Sequence, residues 1–193
     1  MGGNSSRHGM RLLAPKSEVN TMAQVLMIIA QKGFQDKEYE DSRKAIEEAG
    51  HTVTVASPSA GEAIGKYDSV VQPDTTISEV DINTYSAIVV IGGPGALTLA
   101  DHMAFFRLLK LAEDEQKIIG AICIAPRLLA QAGLLKGKQA TVWNDDGIQA
   151  VFLEQQGARY IDAPTAVDGT IITGNGPDAA KAFGEHIAKA LKG

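Results

Sequence analysis

The chain has a single cysteine, Cys123, among 193 residues. No internal disulfide can form, so the fold does not depend on an oxidising compartment, and a Cys-rich zinc site is excluded. Basic residues are fewer than acidic ones, 18 against 23, with both signs scattered to a net charge of −5. Without a basic stripe, nucleic acid is not an expected partner. No apolar run approaches the roughly 18 residues of a membrane span, so no membrane partner is expected either, and the default setting is cytoplasmic. There is no G-x-G-x-x-G fingerprint and no P-loop ending in Lys-Ser/Thr. Neither a cofactor nor a metal is expected.

Residues 1–22 lack sustained apolar periodicity and the apolar core of a secretory signal. They read as a disordered arm or an appended extension, with residues 23–193 as one domain. Gln24 to Ala30 is a short, nearly continuous apolar run, which suits a strand buried on both faces of a parallel sheet. Asp36 to Ala49, stopped by Gly50, reads as a helix, and His51 to Ala56 as the next strand. Val70-Val71 and Thr75-Thr76 are expected to pair antiparallel around a turn at Pro73-Asp74. Further strands are expected at Tyr85 to Ile91, Lys117 to Ile122, Ala140 to Trp143, Arg159 to Ile161 and Thr170 to Thr173. Helices are expected at His102 to Asp114, Ala125 to Ala132, near Gly147 to Gln156, and at Asp178 to Leu191. Alternating buried strands and amphipathic helices predict an α/β fold: a doubly wound, mostly parallel sheet in a three-layer α/β/α sandwich. Ligands of such sheets bind beyond the carboxyl ends of the strands, here after Ala30, Ile91 and Ile122.

Cys123 falls where a strand meets a helix. A sharp turn there holds a side chain over the sheet's end, and the helix N-terminus is expected to ease the loss of the thiol proton. Gly92-Gly93-Pro94-Gly95 also follows a strand. Its glycines would let backbone N–H groups approach a ligand oxygen or, with those near Cys123, form an oxyanion hole, although a tight turn into a helix also accounts for them. Glu38 lies in the first turns of a helix, where an acidic residue is usually a solvated cap; Asp36 and Glu40 face away from it.

These segments together resemble one family. Gly33 followed by Glu38, then Val89 to Gly95, then Ala121-Ile122-Cys123-Ile124-Ala125-Pro126, then Thr173 to Pro177 is similar to the ThiJ/PfpI superfamily from about Val25 onward. That resemblance implies a flavodoxin-like sandwich, usually a homodimer. It implies Cys123 as nucleophile on a strained elbow, Glu38 as its protonated hydrogen-bond partner, and oxyanion-hole N–H groups from Gly93 and Ile124. Gly92 and Trp143 join the expected binding set. The peptidase-like branch commonly has a His after the cysteine, where this chain has Ile124, and another branch has a His in the segment of Thr141 to Asp145, where it has Trp143 and Asn144. His8, His51, His102 and His186 match neither position; His102, near the glycine turn, is the one to follow. The expected activity is cysteine-dependent chemistry on a small aldehyde or glycated substrate, of glyoxalase or deglycase type, in stress defence. A thiol redox sensor or chaperone is the alternative, and a peptidase or amidase the third.

Overall fold

The computed structural model describes residues 22–192, so the arm expected over 1–22 lies outside the described residues except for Met22. The first strand, β1 (Gln24–Ile28), is buried from its second residue on both faces, as its unbroken apolar sequence requires. A short β2 (Lys32–Phe34) leads into α1 (Asp36–Glu48), which returns the chain to β3 (Thr52–Ser57) parallel to β1. Then follow β4 (Ala63–Gly65), β5 (Val70–Val71), β6 (Thr75–Thr76) and β7 (Ala87–Val90). The second half holds α2 (Met103–Asp114), β8 (Ile118–Ile122), α3 (Pro126–Gln131), β9 (Gln139–Ala140), α4 (Gln149–Gln155), β10 (Arg159–Tyr160), β11 (Thr165–Asp168), β12 (Ile171–Gly174) and α5 (Ala180–Ala190).

Seven strands form the main sheet in the order β11-β12-β8-β7-β1-β3-β6, parallel throughout except for β11. The sequence β3-β1-β7-β8-β12 within it is the flavodoxin-like order, whose switch point lies between β1 and β7. Alternate residues of each strand feed two cores. Leu26, Ile28, Ile88 and Val90 pack with Phe105, Leu109 and Leu129 of α2 and α3, while Val25, Met27, Val89 and Ile91 pack with Ile46 of α1 and Phe183 and Ile187 of α5. The architecture is the expected three-layer α/β/α sandwich.

Three local readings differ. Val70-Val71 does not pair with Thr75-Thr76. β5 pairs antiparallel with β4 in a separate small sheet with β2, and β6 extends the main sheet beside β3. Asp74 explains the divergence: its carboxylate accepts the Val55 N–H at 2.8 Å and its own N–H reaches the Val55 carbonyl at 2.8 Å, so the chain is tied to the sheet edge instead of turning back. The strand expected at Ala140 to Trp143 is confined to β9, which pairs parallel with β10. β11 was not expected, although Asp168-Gly169 between two apolar runs is a hairpin signal.

Candidate active site

Cys123 follows the last residue of β8 and precedes α3, and its backbone sits at φ +63, a left-handed conformation that non-glycine residues avoid. Such a conformation costs on the order of 1–3 kcal/mol and persists only where neighbours over-determine it. Here the Cys123 N–H donates to the Gly174 carbonyl at 2.9 Å, and the Cys123 carbonyl accepts the Trp143 N–H at 2.9 Å. The two bonds pin both sides of the elbow and bring β12 and the 141–146 segment to the thiol.

Glu38 comes from the first turn of α1. It is fully buried at 0% exposure, unlike an ordinary helix-terminal carboxylate, and its Oε2 accepts the Gly92 N–H at 3.0 Å. Its Oε1 has no oxygen or nitrogen partner and its carboxyl lies against the Cys123 thiol. Residue 92 must be glycine for this contact: a Cβ there would stand 2.5 Å from Cys123 Cβ and 2.7 Å from Glu38 Oε2. Gly93, at φ +102, turns the chain so that its N–H points at the cysteine sulfur together with that of Ile124. Asp36, two residues before Glu38, is turned away and accepts the N–H groups of Tyr67 and Ser69 at 3.0 and 3.2 Å.

The electrostatics of the pair run against one expectation. Burial pushes the Cys123 thiol up to about 12, with the Glu38 charge adding to the rise and the Gly93 and Ile124 N–H groups opposing it. The helix N-terminus does not win, because α3 is only six residues long and a buried carboxylate faces the sulfur. Glu38 is itself pushed up to about 7 by burial, against the hydrogen bonds from Cys123 and Gly92 and the Lys66 charge. Two acids in contact lose their protons in two steps that belong to the pair. Between about pH 7 and 12 this pair therefore holds one proton.

A cleft of about 450 Å³ opens over the thiol. Cys123, Gly93, Ile124 and Trp143 line it, so the structure brings these expected residues together, with Glu38 and Gly92 directly beneath. Trp143 forms a wall, its ring N–H donating to Asp145 at 3.0 Å. The cleft also includes Gln35, Lys66, Asp146 and Gln149, which the sequence reading did not single out. Lys66 carried no sequence signal; Gln35 carried a weak one, as the residue before a helix. No histidine lines the cleft among the described residues. His102 precedes α2, His51 is buried and accepts the Ala23 N–H, His186 lies in α5, and His8 lies outside the described residues.

The fold and the elbow define a class: a flavodoxin-like sandwich with a lone cysteine held in a strained turn at the carboxyl end of a central strand. The chain belongs to the DJ-1/PfpI family, whose profile matches residues 23–190. An uncharacterised protein of Methanocaldococcus jannaschii is 37% identical over 179 residues, 92% of this chain and 86% of that one. A deglycase of Thermococcus kodakarensis is 30% identical over 170 residues, 86% of this chain and 99% of its own length. Among solved structures, a ThiJ/PfpI domain protein from Brachyspira murdochii superposes with a TM-score of 0.83 at 32% identity, covering 88% of this chain and 96% of that chain. Drosophila melanogaster DJ-1beta gives 0.81 at 30% identity, covering 90% and 92%.

Proposed function

We propose that the protein is a cysteine-dependent enzyme that converts small α-oxo aldehydes to hydroxy acids, a glyoxalase-type activity akin to that of its deglycase-named relatives. The observation that carries this reading is the contact of Cys123, strained at φ +63, with the fully buried carboxyl of Glu38 at the floor of an open cleft. Glu38, with a pKa near 7, can accept the thiol proton as the sulfur attacks the aldehyde carbon. The oxyanion formed is received by the Gly93 and Ile124 N–H groups that already point at the sulfur. Glu38 hands that proton on to the oxyanion and, again a carboxylate, takes the C1 proton and returns it at C2 while the C1 hydroxyl proton passes to the C2 oxygen, so that C1 is oxidised to a thioester as C2 is reduced to an alcohol. Water hydrolyses the thioester and restores the thiol, so methylglyoxal plus water gives lactate.

This sequence asks only for one nucleophile and one carboxyl. Peptide cleavage also needs an acid that protonates the leaving amine, and neither Ile124 nor Trp143 supplies one. The same missing histidine motivates a second reading, a thiol sensor without turnover, but a thiol pushed up to about 12 is a poor target for mild oxidants. Homodimer formation, a single domain over residues 23–193 and a role in stress defence complete the proposal on family likeness. The test is methylglyoxal consumption by wild type and Cys123→Ser at matched concentration. Loss of consumption in the variant is expected; equal rates would sink the idea.

A further inference from the structure

Three cations lie on or near the cleft, and two are already engaged. Lys37 donates to the Pro177 carbonyl at 2.9 Å and pairs with Asp41 and Asp178. Arg127 donates to Gln149 at 2.9 Å and stacks on Phe152. Lys66 has no carboxylate within salt-bridge distance among the described residues; its ammonium rests 5.1 Å from the Tyr67 ring centroid and acts on Glu38 only as a charge at longer range. Its backbone is nevertheless built in place. The Lys66 N–H donates to the Phe34 carbonyl at 2.7 Å, and the next two turns of chain hang on buried Asp36 through Tyr67 and Ser69.

Gln35 is the second observation. It is 7% exposed, lines the same cleft, and its Oε1 is committed to the Lys37 N–H at 2.9 Å. That bond fixes the amide's orientation and leaves Nε2 as a donor with no hydrogen bond among the described residues. The anion on the far wall, Asp146, is already satisfied by the Ile148 N–H at 2.9 Å and Gln149 Nε2 at 2.7 Å.

We propose that Lys66 and Gln35 receive a carboxylate of the substrate, so that the cleft selects α-oxo aldehydes carrying a carboxylate at the far end of a short chain. This deepens the proposed function and rests on it. One ammonium and one amide N–H match the two oxygens and single charge of a carboxylate, whereas a phosphate dianion would face Asp146 with half its charge unbalanced. For 4,5-dioxopentanoate the chemistry balances as before: water is added, the aldehyde carbon C5 becomes a carboxylate, the ketone carbon C4 an alcohol, and the product is 2-hydroxyglutarate.

The experiment compares kcat/KM for 4,5-dioxopentanoate and its uncharged analogue 2-oxopentanal in wild type, Lys66→Met, Lys66→Arg and Gln35→Glu. A charge-assisted hydrogen bond predicts that the anionic-to-neutral ratio falls about 10-fold in Lys66→Met. It should be kept in Lys66→Arg and also fall in Gln35→Glu, which retains the cap oxygen while placing an anion where the donor was. An unchanged ratio in Lys66→Met overturns the proposal. If wild type turns over neither compound, the glyoxalase reading fails separately, and the carboxylate site is then read without turnover. Intact mass would give the Cys123 alkylation rates with iodoacetate and iodoacetamide. A lower iodoacetate-to-iodoacetamide ratio in Lys66→Met supports the site, and an equal ratio overturns it.

Discussion

Replacing Glu38 by Gln separates the two jobs assigned to this carboxyl. The amide keeps an oxygen for the Gly92 N–H, which now sits 3.0 Å from Oε2, and turns an N–H toward the Cys123 sulfur. It removes the charge that helps push the thiol up to about 12. Two charges about 4 Å apart at an effective dielectric of ~20 interact by at most about 4 kcal/mol, which at ~1.36 kcal/mol per pKa unit bounds the gain at roughly a factor of a thousand in acidity, and burial is the larger cause of the rise. The variant thiol should then titrate in one step, below the wild-type value, with burial still pushing it up. Wild type should instead show a first rise in alkylation rate near pH 7, where the pair loses its first proton, and a second beyond the usual working range. Turnover should move the other way, falling by about 10²- to 10⁴-fold, because Gln cannot carry the proton. The assay is iodoacetamide alkylation followed by intact mass from pH 5 to 10, beside methylglyoxal kinetics on the same samples. If Glu38→Gln keeps the step near 7, the group titrating there is not Glu38. If it keeps turnover within a few fold, Glu38 is not the shuttle.

The same carboxyl makes stability depend on pH. Its folded pKa of about 7 lies above the ordinary 4.5, so its contribution is fully present below pH 4.5 and is lost as pH rises through 7. Urea melts should show wild type losing about 3 kcal/mol across that window from this group, and Glu38→Gln losing little. Gly92→Ala should remove most turnover and destabilise by about 1–3 kcal/mol, since its Cβ would meet Cys123 Cβ at 2.5 Å; a variant with normal kinetics would show that the contact can relax. Trp143→Ala should raise KM about 3- to 10-fold with less effect on kcat, as loss of a cleft wall implies. Phe183→Ala, which empties a fully buried site between α5 and the sheet, should cost about 3–5 kcal/mol in a urea melt without altering the thiol's titration.

What could be read from the chain followed the strength of local signals. Unbroken apolar runs marked β1, β7 and β8, and the amphipathic spacing of α1, α2 and α5 was enough to predict a doubly wound sheet. The three-residue strands β2 and β4 carry no periodicity, and their pairing depends on Gln31 and Phe34 carbonyls that receive the Ile64 and Lys66 N–H groups. Cys123 was legible as an elbow because an apolar strand ends in Ile-Ala-Pro. Glu38 was legible only through the family's motif spacing: by its own position it is a solvated cap, and its burial follows from Gly92, 54 residues away, having no side chain. The direction of the thiol's shift was not legible, because it depends on that same long-range contact.

The proposal above all requires that Cys123 turns substrate over and does not merely scavenge it. Lactate should be quantified from excess methylglyoxal with wild type and Cys123→Ser at matched concentration. Many lactate molecules per wild-type chain are expected, and none above background from the variant. At most one aldehyde consumed per Cys123, with no lactate released, would contradict it and leave the thiol a target of modification.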